Sequence, residues 1–488
     1  MTSLRRPRVR LLTRPEVGRI VDDACRVLER VGISVESEDG GRLLLEAGAE
    51  RRADRYRIPE AMARGAVASA PREITLYDRA GVPAMTLAPG QVHFVPGSAA
   101  IYVLDRADGT RRAATTRDVV DLVRLVDGLP HYAAQSTALV PGDVPAPISD
   151  RYRLYLALRH GAKPVVTGTF AIDGFAPMRE MLVAVRGSDA ALVEKPLAIF
   201  DCCPSPPLRW SELTCRSLID CARAGIPAEL VSMPLTGATS PVTLRDAVVQ
   251  HCAENLSGLV IHQLARPGAP AIYGGAPSAF DMRHGSTPMG AIETMMIDLA
   301  YAQVGSVLEL PTHGYLALSD AKTPDYQAGM ETGIGAVLGA LAGINVVSGP
   351  GILDYLLTQS FEKLVLDHEA CGMALRLVGG IARRDEDVAD LIEALVAAGE
   401  FLSHDHTRRY WREELSVASP VIDRESYGDW EATGSMSARQ RAAREVDRRL
   451  AAAGDGRPDD GVDRALVRIM GAEATRCGCD GLPGDTVI

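Results

Sequence analysis

Short apolar runs that end abruptly in small or polar residues recur through the middle of the chain, at 132–139, 164–170, 196–200, 228–233, 270–273, 307–310 and 344–348. Most are separated by segments whose apolar residues return three and four positions apart, the spacing of an amphipathic helix. Strands alternating with helices predict a parallel sheet covered by helices. Runs such as Val165-Val166 and Ile344-Asn345-Val346-Val347 are nearly continuous rather than alternating, as expected of strands buried on both faces. The repeats occupy roughly 116–380, about the length a closed (β/α)8 TIM barrel needs. The pattern yields seven strands and leaves the eighth unplaced. An open doubly wound sheet is the alternative, but the Gly-rich turn after a first strand that would announce it is missing.

Flanking segments follow other rhythms. Thr13-Arg14-Pro15-Glu16 is a capping box with Pro in the first turn, and Val17, Ile20, Val21, Ala24, Val27, Leu28 and Val31 follow at helical spacing. Residues 1–90 therefore read as a helical N-terminal extension. Val92–Pro96 and 99–105, turning through Gly97-Ser98, predict a β-hairpin, and Ala107-Asp108-Gly109 a second turn; 91–115 reads as a small hairpin cap. The barrel domain is placed at 116–420, and a C-terminal helix opened by a Ser437–Gln440 capping box, with its tail, at 421–488.

Composition narrows the partners. A net charge of −11 leaves no basic face for a nucleic acid, and the Arg-rich start from Arg5 to Arg10 reads as a short solvated arm. No apolar run approaches the roughly 20 residues of a membrane span, and the start lacks the apolar core of a signal peptide. The expectation is a cytoplasmic protein whose nine Cys are reduced and mostly buried. Neither Cys202-Cys203, Cys477-Gly478-Cys479 nor His404-Asp405-His406, read as alternating along a strand, brings enough ligands for a metal site, so none is expected.

Candidate chemistry clusters where apolar runs end. Val307–Leu310 is the clearest such run, leading through Pro311-Thr312-His313-Gly314-Tyr315 to the polar stretch from Ser319 to Asp325. Parallel sheets display ligands at such ends, which makes His313, Tyr315 and Asp320 candidates. The loop from Met233 to Thr243, containing Thr236, is built of small and hydroxyl residues that let a ligand approach the backbone. Tyr273, Gly274, Phe280, Asp281 and Arg283 supply aromatic faces for a quaternary ammonium and a guanidinium for a carboxylate, unless Asp281 and Arg283 pair with each other. The glycines from Gly333 to Gly343 follow a helix and not a strand, so they predict close helix packing and not dinucleotide binding. Walker, nucleophile-elbow and zinc-protease motifs are missing.

Several blocks taken in order, 13–35, 100–129, 234–285, 319–349, 360–373 and 401–430, resemble the trimethylamine methyltransferase family, whose non-pyrrolysine branch includes glycine betaine methyltransferases. PLTGATSPVTL, DMRHG, SDAKTPDYQAG and FLSHDHT carry the likeness. The resemblance implies a (β/α)8 barrel, often oligomeric, that moves a methyl group from a methylamine to the cobalt of a separate corrinoid protein. Members acting on trimethylamine carry pyrrolysine, whereas every position here is a standard residue, which points to a quaternary amine such as a betaine. The Asp-x-His-x-x-Gly run of cobalamin-binding modules is absent, and Asp367-His368-Glu369 has the wrong spacing, so the chain is expected to bind no cofactor and to take its corrinoid from a partner. From chemistry and position, Tyr273, Phe280 and Tyr315 are expected to face the cation. Arg283 would hold a substrate carboxylate and His313 orient the substrate. Asp320 would complement the ammonium or organise its loop, with Gly274 and Thr236 lining the site. Two alternatives stay open: transfer to a folate or thiol without corrinoid, and a non-catalytic quaternary-amine binding protein.

Overall fold

Strands buried at nearly every position cannot face water on either side, and here they stack in parallel beneath helices. A computed structural model describes residues 6–384, 387–479 and 481–482. Its central strands are β1 (His93–Val95), β2 (Gln135–Ser136), β3 (Val165–Thr167), β4 (Ala198–Cys202), β5 (Ala228–Ser232), β6 (Ala271–Gly275), β7 (His313–Tyr315) and β8 (Val346–Ser348). The principal helices that follow them are α1 (Thr116–Asp127), α2 (Ser149–His160), α3 (Phe175–Arg186), α4 (Glu212–Ala224), α5 (Leu244–Ala265), α6 (Ile292–Val307), α7 (Tyr326–Ala342) and α8 (Phe361–Val378). β2 to β6 pair in parallel and in sequence order, and β7, β8 and β1 form a second parallel sheet. Parallel bridges from Tyr273 to Thr312 and from Phe94 to Tyr132 connect the two sheets at both edges, so the pairings run from β1 through β8 and back.

Three expectations change. The run at 307–310 is not a strand: α6 extends to Val307, and β7 begins beyond it. Its apolar spacing belongs to the end of a helix, and His313 consequently lies within a strand instead of in the loop after it. His93–Val95 does not fold back on 99–105 but pairs in parallel with Val346–Ser348, supplying the strand that the pattern left unplaced. The hairpin that does form, Tyr102–Leu104 with Arg111–Ala113, turns at the Ala107-Asp108-Gly109 signal. The N-terminal extension is also not purely helical. Beside helices Arg14–Arg30, Glu38–Glu46 and Glu60–Ser69 it contains two hairpins, Glu50–Arg52 with Arg55–Arg57 and Ile74–Tyr77 with Pro83–Leu87.

The second of these hairpins does the capping. Ile74, Leu76, Met85 and Leu87 pack with Val95, Ala134, Val166, Ile199, Ile272 and Val346, a cluster separate from the main core. These strand residues form an apolar floor inside the ring, and the hairpin covers it. The larger core lies between strands and helices and is continuous with the first helix through Val17, Ile20, Ala24 and Leu28.

Close packing of α7 on β7 and β8 accounts for Gly335 and Gly339, whereas Gly333 faces open space and Gly343 ends the helix at φ +75°. A Cβ on Gly335 would meet the Ala317 backbone nitrogen at 2.6 Å, so the helix rides where no side chain fits. Between α7 and α8 lies a buried ionic link: Lys363 Nζ donates to Thr332 Oγ1 at 2.7 Å and to Asp367, whose Oδ2 also accepts from the Gly351 backbone at 2.7 Å. Lys363→Met is expected to cost about 3–5 kcal/mol in denaturant unfolding, because it strands the Asp367 carboxylate without its cation.

Arg6 to Arg10 lie along the surface, with Val9 donating its backbone N–H to Leu341 and the Gln303 side chain accepting from Leu11 and Leu12; Arg5 lies outside the described residues. The helix Asp460–Arg476 is tied to α2 by Arg151, 2.8 Å from Glu473, and by Arg159, 2.7 Å from Asp463. The final residues of the predicted C-terminal tail, 483–488, lie outside the described residues. His404-Asp405-His406 does not lie in a strand: His404 caps the helix Asp405–Glu414, its ring accepting from the His406 backbone. The nine cysteines are free, six of them buried. Among the described residues no helix is long and apolar enough to cross a membrane, and no group of His, Cys, Asp and Glu could hold a metal ion.

Candidate active site

One layer above the apolar floor the ring interior turns polar. Asp201 on β4 and Glu229 on β5 are register partners on neighbouring strands. His313 on β7 lies with its Nδ1 2.6 Å from Glu229 Oε1, and its Nε2 is 2.9 Å from Ser348 Oγ on β8. Glu229 and His313 belong to strands that flank β6 and do not pair. They meet because Gly274 has no side chain: a Cβ there would sit 3.1 Å from His313 Cβ and Nδ1. Above His313, Tyr315 presents its ring edge at 5.0 Å and its hydroxyl 3.3 Å from Ser98 Oγ.

Burial dominates the electrostatics of these groups. Glu229 is fully buried and neither carboxyl oxygen has a hydrogen-bond partner; the His313 contact lies outside hydrogen-bonding geometry. Burial pushes the Glu229 carboxyl well above the usual carboxylate range. Asp201 is pushed up too, first by burial and then by Glu229, with its Oδ1 also unpartnered. Burial drives His313 down to about 4, against the pull of Asp201. Burial thus disfavours the charged form of all three groups, raising the proton affinity of both carboxyls and lowering that of the imidazole.

Arg153 on α2 reaches over the strand ends into the same region. Its side chain is buried, Nη1 donates to the Thr137 carbonyl at 2.7 Å, and the guanidinium stacks on Phe170 at 4.2 Å. Its charge bears on Asp201, and Tyr315 bears on it in turn.

Of the sequence candidates, the structure brings together His313, Gly274 and Tyr315. Tyr273 is turned the other way. Neighbouring strand residues face opposite sides, so with Gly274 inward Tyr273 packs among the helices, 5.5 Å from the His251 ring and 6.4 Å from Tyr301. Arg283 does not reach the interior: its side chain is 85% exposed and sits 3.5 Å from Asp281, in the self-pairing that competes with ligand binding. Thr236 and Phe280 hold loop to loop, Thr236 Oγ1 accepting from the Phe280 backbone at 3.2 Å. Asp320 organises a loop: its oxygens accept from the Met289 and Gly290 backbones at 3.0 and 2.8 Å. Burial raises that carboxyl to about 6.

Asp201, Glu229, Ser348 and Arg153 were not among the candidates. The first two had a visible signal, an acid inside an apolar run: AIFDC for Asp201 and AELVS for Glu229.

Sequence comparison identifies the family. The profile of the trimethylamine methyltransferase family matches residues 2–473. The chain belongs to the trimethylamine methyltransferase family. It is 31% identical over 434 residues to a trimethylamine methyltransferase of Desulfitobacterium hafniense, covering 88% of this chain and 87% of that protein. It is also 28% identical over 439 residues to a glycine betaine methyltransferase of the same species, covering 89% of this chain and 91% of the relative. The solved monomethylamine methyltransferase of Methanosarcina barkeri shares the fold, with a TM-score of 0.53 at 10% identity over 90% of this chain and 87% of that one.

Proposed function

We propose that this chain removes a methyl group from a quaternary amine of the betaine class and delivers it to the Co(I) of a separate corrinoid protein, within a closed (β/α)8 barrel whose open end is the reaction chamber. The observation that carries the proposal is the Asp201–Glu229 pair: a fully buried Glu229 and a half-buried Asp201 beside His313, with both Glu229 oxygens and Asp201 Oδ1 satisfied by nothing in the described residues. A cation bound there supplies the missing charge. A quaternary nitrogen also suits the chemistry. When its methyl carbon is attacked, the C–N bond breaks with the electron pair left on nitrogen, and a neutral tertiary amine departs without prior activation.

The chain's own residues orient, desolvate and set the field. Glu229 and Asp201 would hold the ammonium, Tyr315 would give it an aromatic face, and Ser348 fixes His313 against the carboxyl pair. Once the neutral amine leaves, the carboxyls take protons back and the site resets. Self-association belongs to the same proposal, and the outward-facing apolar side chains of Ile381, Ile392, Phe401 and Leu402 offer surface for it.

Proton release on binding tests the cation reading. A cation favours ionised carboxyls, so their raised proton affinities must fall when it binds, and protons must leave. Calorimetric titration with glycine betaine in two buffers of different ionisation enthalpy is expected to show net release at pH 7, and affinity that rises with pH. Proton uptake, or enthalpies independent of the buffer, would remove the carboxyls from recognition.

A further inference from the structure

We propose that Arg153 receives a carboxylate of the substrate, so that the site selects a zwitterion, an ammonium and a carboxylate on one small molecule, over a simple quaternary cation. This rests on the cationic-substrate reading above and adds the second charge.

Arg153 is only 2% exposed, yet no Asp or Glu of the described residues forms an ion pair with it. The nearest candidate on its own helix, Asp150, is committed elsewhere: it contacts Arg151 at 2.9 Å and accepts from the Phe170 backbone at 2.8 Å. Arg153 Nε has no partner, and the single carbonyl of Thr137 on Nη1 uses a small part of a five-donor group. Stacking on Phe170 fixes the plane of the guanidinium without neutralising it. Burial lowers its proton affinity only to about 10, so it stays charged at neutral pH. Asp150 and Asp201 act on the guanidinium only through space; a buried charge without a direct carboxylate partner is costly, and a planar fork held in place suits a carboxylate bound through two oxygens.

Position completes the argument. Arg153 projects from α2 toward Thr137 beyond β2 and Phe170 beyond β3, and its charge bears on Asp201 in the acidic pair. One side of the chamber therefore offers acids for an ammonium and another a guanidinium for an anion. This also relocates the carboxylate site from the exposed Arg283 to a buried one.

The test compares glycine betaine, its methyl ester and choline, which share a trimethylammonium head while only the first carries a carboxylate. By calorimetry, the unaltered protein is expected to bind betaine at least about a hundredfold more tightly than the ester or choline. Arg153→Met should erase that preference by weakening betaine alone, leaving choline within about threefold; Arg153→Lys should keep an intermediate preference. Equal binding of all three ligands by the unaltered protein, or an Arg153→Met variant that weakens all three alike, would overturn the carboxylate role while leaving the cation site standing. Binding of none would overturn the cation site itself and this proposal with it. The comparison of acid with ester in the unaltered protein decides the matter even if the Met variant does not fold.

Discussion

Glu229→Gln is expected to raise KM for the quaternary amine about a hundredfold while changing kcat by less than about tenfold. The ammonium is cationic in the ground state and loses its charge as the methyl leaves, so an acid that attracts it favours binding more than reaction. A unit charge at about 5 Å in a medium of effective dielectric about 20 contributes about 3 kcal/mol, which sets the hundredfold scale. The amide keeps the shape and leaves Gly274 and His313 in place. It also removes a buried acid whose oxygens lack partners, so thermal stability should be unchanged or higher. Steady-state kinetics across substrate concentration, with melting curves of both proteins, check this. A kcat loss of a thousandfold at unchanged KM would assign Glu229 to the chemical step instead.

The second large effect falls on the other face of β6. Gly275→Ala is expected to destabilise the protein by about 3 kcal/mol or more. The added Cβ would sit 2.7 Å from the Ser232 carbonyl oxygen and collide with the His251 ring. Neither can yield cheaply. Ser232 and Gly275 are register partners in the parallel sheet, so moving that carbonyl opens the β5–β6 pairing. His251 is fixed by its contact with the Gly274 carbonyl at 3.1 Å and by stacking on Tyr301 at 4.2 Å. Urea unfolding should show a lower midpoint, and residual folded enzyme should lose activity because Gly274 and His313 shift with the strand. A midpoint unchanged from the parent would show that His251 swings aside.

Much of the fold was legible because strands buried on both faces leave continuous apolar runs, as at Val165-Val166 and Val346-Val347. β1 was not legible. Three residues followed by Pro96 and Gly97 look like one arm of a local hairpin, whereas their partner lies at Val346–Ser348, far along the chain. A pairing of that range leaves no local trace. The end of α6 misled for a related reason: VLEL has strand composition, but its Val307 is the last residue of a helix begun at Ile292 and the rest turns out of that helix, Glu309 at positive φ.

The site divides in the same way. His313 and Tyr315 stand out because the apolar run at 307–310 ends just before them, although that run closes a helix and the two residues are themselves the strand; Gly274 stands out at the end of its own run, in β6. Tyr273 illustrates the limit. A one-residue change of side separates ligand from core, and composition does not report which side faces in. Asp201 and Glu229 lie inside strands and not in the loops where the candidate chemistry clusters, although an acid within a buried strand is costly unless something pairs with it. Arg153 left no signal, since its contacts, the Thr137 carbonyl and the Phe170 ring, come from two loops apart from it along the chain.

The measurement that tests methyl transfer most directly is the absorbance change of Co(I)-cobalamin on addition of this protein with glycine betaine, repeated with candidate corrinoid proteins and with trimethylamine as the contrasting donor. Methylation of cobalt from the quaternary amine and not from trimethylamine is the expected result. Absence of methylation from every quaternary amine and corrinoid protein tried, alongside transfer of the methyl to a folate or thiol, would contradict it.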